Sequence, residues 1–111
     1  MSFKRTALYA SVGPVLMRYD VDVEGYALTK RGAVTLPGNV QYAWPHASKP
    51  VLYVAYSSRI TRENLGNDHC VCAVKIDEAT GELSMHGKSI RLPSRPVHLT
   101  TDIPSGHVMV A

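Results

Sequence analysis

Residues 36–55, LPGNVQYAWPHASKPVLYVA, and residues 92–111, LPSRPVHLTTDIPSGHVMVA, follow one plan. They align at a shift of 56 positions, with Leu36-Pro37 on Leu92-Pro93 and Val54-Ala55 on Val110-Ala111. Between these ends Leu52 meets Val108, and Pro50 meets Gly106 at a turn. The identities are few, and the order carries the match: Leu-Pro, a strand, a turn, an apolar strand. An earlier, partial copy precedes both. Leu8-Tyr9 resembles Leu52-Tyr53, and Val21-Asp22 resembles Ile76-Asp77 at a shift of 55. Asp77 opens a tight turn through Thr80-Gly81, because Asp accepts from nearby backbone amides and Gly supplies a positive φ.

Working outward, Gly, Pro, Asn or Asp punctuates the rest of the chain at short intervals, the rhythm of an all-β protein. β-branched and aromatic residues concentrate at 6–11, 15–21, 33–36, 40–44, 51–57, 70–76, 89–92, 97–101 and 107–111, which are the expected strands. No window carries an apolar stripe of helical period, and 62–65 is expected to give a single turn at most. Four antiparallel strands in a unit of about 55 residues make a propeller blade. The expectation is therefore an incomplete β-propeller of about two and a half blades: 5–37 without its inner strand, 38–93, and the start of a third at 94–111. The first copy enters at the second strand of the unit, and the last ends inside an apolar strand, so the remainder of its own propeller is the expected partner. Alone, such a chain leaves strand edges unpaired. The alternative architecture is a small self-contained β-sandwich.

Composition narrows the function classes. Hydrophobic residues are 45% and charged residues 19% of 111, a balance that argues for a packed domain rather than disorder. The net charge of +3 comes from scattered residues; Lys4-Arg5 and Lys30-Arg31 are the adjacent basic pairs, without the aromatic interleaving of nucleic-acid grooves. Cys70 and Cys72 share a strand face at a separation too long for a bond and are expected as buried, reduced thiols. No signal peptide or membrane-length apolar run appears, so the expected location is cytoplasmic, with no membrane and no nucleic-acid partner. His69, His86 and His107 lack metal-ligand spacing, and neither a phosphate-binding Gly-rich loop nor a GxSxG elbow is present. No metal and no cofactor are expected.

The stretches LPGNVQYAWPHASKPVLYVAYSSR (36–59) and HCVCAVKIDEATGELSMHGKSIRLPSRPVHLTTDIPSGHVMVA (69–111) resemble the lactonase family of seven-bladed β-propellers. That family includes the propeller-type 6-phosphogluconolactonases and the 3-carboxymuconate cyclases. The resemblance rests on the Leu-Tyr-Val-Ala strand at 52–55, the turn at 76–83, and Arg95-Pro96-Val97-His98 ahead of a strand ending in Asp102. Trp44-Pro45-His46 together with 59–69 leans toward the muconate branch. The resemblance implies hydrolysis or formation of a small anionic lactone by general acid/base catalysis. It assigns no catalytic residue to this segment, since the family's chemistry lies mainly in later blades. A non-catalytic propeller scaffold is the other reading, because fold does not fix function.

The substrate-binding candidates are His98, Arg95, Tyr42 and His69. His98 opens an expected innermost strand, near the mouth of a central channel, where an imidazole can orient substrate or move a proton. Arg95 offers paired donors to a carboxylate or phosphate. Tyr42, Trp44 and His46 alternate along one strand face, and Tyr42 aligns with His98 in the repeat. The connection 57–69, with Arg59, Arg62, Glu63, Asp68 and His69, is the longest in the chain and the candidate wall of a cleft. Beside each role stands a plainer one: hydrogen-bonded structural histidine, solvated rim arginine, packed aromatic, surface loop.

Overall fold

The computed structural model describes residues 6–58 and 66–111. Among these residues there are nine strands and no helix: β1 (Ala7–Val12), β2 (Val15–Asp22), β3 (Ala27–Thr35), β4 (Asn39–Pro45), β5 (Val51–Ser57), β6 (His69–Ile76), β7 (Leu83–Arg91), β8 (Leu99–Thr101) and β9 (Val108–Val110). They form three antiparallel meanders: sheet A, β1-β2-β3; sheet B, β4-β5-β6-β7; and sheet C, β8-β9. No helix is long and apolar enough to cross a membrane. The expected turn at 62–65 lies outside the described residues.

Two strands begin earlier than the sequence pattern suggests. β3 starts at Ala27 rather than 33, and β7 at Leu83 rather than 89. Their added residues are mostly exposed and half of them are polar, so no apolar alternation announces them; backbone pairing to β2 and β6 holds them. β8 and β9 are shorter than expected. The amides of Val97 and His98 both donate to the Ala111 carbonyl, 2.8 and 3.1 Å, so the ladder opens irregularly before Leu99.

The sequence repeat has a counterpart in the strand register. Leu8↔Tyr19, Ala10↔Met17 and Val12↔Val15 are paired rungs of sheet A. Their partners by alignment, Leu52↔Val74, Val54↔Cys72 and Tyr56↔Cys70, are paired rungs of sheet B. Val21↔Leu28 and Ile76↔Leu83 extend the series. Next to each of these last rungs lies an Asp-headed turn. Gly25 N–H donates to Asp22 Oδ1 (2.9 Å), as Ala79 and Thr80 donate to Asp77 Oδ1 (2.9 and 3.1 Å). Backbone conformation repeats as well: Tyr26 has φ 53° where Gly81, 55 positions on, has φ 79°.

Sheets A and B pack face to face. Leu16 and Leu36 meet Leu52, Val54, Tyr56, Cys70, Cys72, Val74 and Leu83 in one buried cluster, edged by Tyr9 and Val34. Each fully buried Leu or Val stabilises by roughly 1.5–3 kcal/mol. The backbones come closest where β3 crosses the β6–β7 turn: a Cβ on Gly32 would lie 2.7 Å from the Gly81 carbonyl oxygen. Buried Arg18 reaches over Gly81 and pairs with Asp20 at 3.7 Å, while Arg31 Nε donates to the other Asp20 oxygen at 2.8 Å. The opposite face of sheet B carries sheet C. Ser105 Oγ accepts from the Ala47 amide (2.9 Å), tying the β8–β9 turn to the β4–β5 turn.

Candidate functional site

The join between β4 and β8 gathers three of the four residues singled out in the sequence. Tyr42 sits in β4 beside a register shift between Val40 and Tyr42 and pairs with Ala55. His98 precedes β8, held by its amide and carbonyl against Ala111 (3.1 and 2.9 Å). The two rings meet with centroids 4.4 Å apart and planes tilted by 35°. Pro96, fully buried, anchors the segment between Arg95 and His98. From that anchor Arg95 reaches β4, where its Nε donates to Gln41 Oε1 at 2.9 Å. Gln41 is fixed in turn, its Nε2 donating to the Asn39 carbonyl at 3.0 Å.

This arrangement orients an exposed guanidinium by one edge and presents an exposed imidazole against a tyrosine ring. Arg95 Nη1 and Nη2 have no partner among the described residues, and guanidinium nitrogens suit a carboxylate or phosphate. An imidazole is chemically able to accept or give a proton.

His69 does not join the group. It stands in β6, two strands from Tyr42, a lateral distance of about 10 Å at ordinary strand spacing. Its Nδ1 lies 2.9 Å from Oγ of the buried Ser57, and its carbonyl accepts from Leu92 N–H at 2.6 Å. Those contacts hold the ring to its own sheet. Just past β4, His46 has its ring 6.1 Å from that of Tyr53, the rung partner of Trp44, and its Nδ1 accepts from the Ser48 and Lys49 amides, both 3.0 Å, building the β4–β5 turn. Asp68 pairs with Arg91 at 3.3 Å on the surface. Arg59, Arg62 and Glu63 lie outside the described residues.

A scan of family models and a search of curated proteins found no match to the chain. The geometry of the β4–β8 join therefore has to speak for the site.

Two clusters escaped the sequence reading. Gln41, which positions Arg95, has Val97 as its repeat counterpart and carries no signal of its own. Asp102 and His107 close the β8–β9 hairpin: Asp102 Oδ1 accepts the His107 amide (2.9 Å) and Oδ2 lies 3.0 Å from Nδ1. The His107 side chain, then its backbone amide, holds the Asp102 carboxyl below its ordinary range. The Asp-x4-His spacing across a Pro-Ser-Gly turn was the available cue. Among the described residues no three His, Cys, Asp or Glu side chains gather as a metal-ligand set.

Proposed function

We propose that the three sheets are successive blades of a lactonase-type seven-bladed propeller, and that the β4–β8 join binds a small anionic lactone or its open acid. Arg95 takes the carboxylate or phosphate through Nη1 and Nη2. Tyr42 packs against the sugar or ring face. His98 orients the lactone carbonyl, or takes the proton from water as that water attacks it. In hydrolysis the water oxygen bonds to the carbonyl carbon, the ring C–O bond breaks, and the leaving alkoxide takes up a proton. The catalytic complement belongs to later blades on this reading, so the segment binds substrate without turning it over at an enzyme's rate.

The observation that supports this reading is the convergence of Tyr42, His98 and a Gln41-oriented Arg95 at one rim of adjoining sheets. Titration with 6-phosphogluconate, followed by NMR at the His98 and Tyr42 rings, tests it. The expected result is saturable shifts at both rings. Arg95→Gln weakens the affinity about 10-fold or more, since a hydrogen bond to a charged group contributes roughly 1.5–3 kcal/mol. No response at His98, or an unchanged affinity in Arg95→Gln, would refute the site.

A further inference from the structure

The β6–β7 turn is built on a side chain that accepts from amides just ahead of it. Asp77 Oδ1 takes the N–H of Ala79 and Thr80, the second and third residues on. At the β2–β3 turn Asp22 Oδ1 takes the third, Gly25. The β4–β5 turn repeats the device with a different acceptor. His46 Nδ1 takes the amides of Ser48 and Lys49, again the second and third residues on, both at 3.0 Å. Both donors are backbone N–H, so Nδ1 must present its lone pair and the ring proton sits on Nε2. That arrangement exists only in the neutral imidazole. A carboxylate keeps its acceptor oxygens in weak acid, whereas an imidazole takes up a proton between about pH 8 and 5 and becomes a donor at both nitrogens.

The same turn carries the tie to sheet C. Ala47 N–H donates to Ser105 Oγ at 2.9 Å, and Thr101 Oγ1 lies 3.3 Å from that oxygen. Ser105 is buried at φ 57°, a conformation sparsely populated by residues with a Cβ, so its place depends on such contacts. In the 56-residue alignment the counterpart of His46 is Asp102, which closes its own hairpin with both carboxylate oxygens on His107, at 2.9 and 3.0 Å. His107 holds the Asp102 carboxyl below its ordinary range. The β8–β9 hairpin therefore keeps its cap when imidazoles charge, and gains an ion pair. Of two adjoining turns, one is closed by a group that acid converts from acceptor to donor, the other by a group that acid of this strength leaves alone.

We propose that His46 is a proton-operated latch: protonation at Nδ1 releases the Ser48 and Lys49 amides, opens the β4–β5 turn and slackens the Ala47–Ser105 tie between sheets B and C. The groups around the ring are few. Lys49, on the turn itself, is a cation that a protonated His46 meets as a like charge, which favours opening. From β5, Tyr53 presents its phenol ring at 6.1 Å between centroids. From the β8–β9 hairpin come Asp102 and His107, whose charges are spent on each other. The backbone bonds from His46 N–H to the Val51 carbonyl (2.9 Å) and from Val51 N–H to the Lys49 carbonyl (2.8 Å) involve no titrating group, so the strands stay paired while the loop between them loosens. The inference rests on hydrogen-bond polarity and stands apart from lactone binding.

Exchange of backbone amides with water, measured by NMR on the 111-residue chain from pH 8 to 5 and divided at each pH by the rate of an unstructured chain, tests the latch. In wild type the protection of Ser48 and Lys49 is expected to fall about 5-fold or more across that range, the loss of one ordinary hydrogen bond each. Ala47 should follow them, while Ala79 and Thr80 on Asp77 hold their protection. His46→Asp gives the turn the acceptor that the β6–β7 turn uses, and should keep Ser48 and Lys49 protected down to pH 5. His46→Ala should leave them unprotected at every pH. The other histidines are intact in His46→Asp, so a pH response at Ser48 and Lys49 that survives this substitution belongs elsewhere and overturns the proposal. Wild-type protection at these two amides that stays level from pH 8 to 5 overturns it as well. Circular dichroism checks the fold of the variants, and the comparison of the two turns within wild type decides the matter even if a variant unfolds.

Discussion

Replacing Gly81 by alanine perturbs one backbone position on which the A–B packing converges. Gly81 has φ 79°, a conformation that costs an L-residue roughly 1–2 kcal/mol. The new methyl would also stand 2.8 Å from Arg31 Cβ and against the Arg18 guanidinium. Arg18 is 8% exposed and tied to Asp20, so it has little room to withdraw. Overpacking of this kind adds about 1–3 kcal/mol. Alanine recovers roughly 0.4–1 kcal/mol by restricting the unfolded chain. The expected net loss is about 2–4 kcal/mol, a large share of the roughly 5–15 kcal/mol typical of a domain. Urea unfolding followed by circular dichroism is the assay; the midpoint should fall by about 1 M or more at unchanged slope. Tyr26→Gly is the internal control, since Tyr26 occupies the equivalent position at φ 53° and is exposed. It should be neutral or gain up to about 1 kcal/mol, strain relief outweighing the entropy of glycine. A Gly81→Ala midpoint within error of wild type would refute the packing argument, and an equal loss in Tyr26→Gly would refute the equivalence of the two turns.

Leu52 is 1% exposed at the centre of the A–B cluster, and Leu52→Ala should cost about 2–5 kcal/mol in the same urea assay, while Leu28→Ala on the exposed outer strand should cost far less. Burial, reinforced by the neighbouring Cys70, raises the Cys72 thiol from 9.0 to about 11. The folded form therefore holds its proton while the unfolded form ionises: the stabilisation is whole below pH 9.0 and drains away as pH rises toward about 11. Melting temperature should fall across that window, less steeply in Cys72→Ala; equal slopes in the two proteins would contradict the assignment.

The strands that pack on another sheet were legible in the sequence, because burial concentrates apolar, β-branched and aromatic residues in 15–21, 51–57 and 70–76. The early halves of β3 and β7 were not, since solvent covers them and only backbone hydrogen bonds order them. Within the site, the repeat aligned Tyr42 with His98 without indicating that their rings meet, since equivalent positions in successive units need not touch. The separation of His69 was not legible either: sequence proximity to a charged loop says nothing about how many strands intervene across a sheet. Arg18 was hidden for a similar reason. An arginine between apolar neighbours in β2 looks solvent-facing until a second sheet closes over it with a glycine opposite.

Every strand pairing among the described residues joins neighbours along the chain. Hairpins of this kind form locally in microseconds, and loop closure between adjacent strands carries a small entropic toll. The slow events are the docking of one finished meander on the next, which bring together segments tens of residues apart. A nascent chain can therefore complete β1-β2-β3 before β5 has left the ribosome, then wait with its greasy side bare until β4-β5-β6-β7 arrives. Synthesis rate and chaperone occupancy during that interval, rather than final stability, would set how much of the polypeptide reaches its native arrangement.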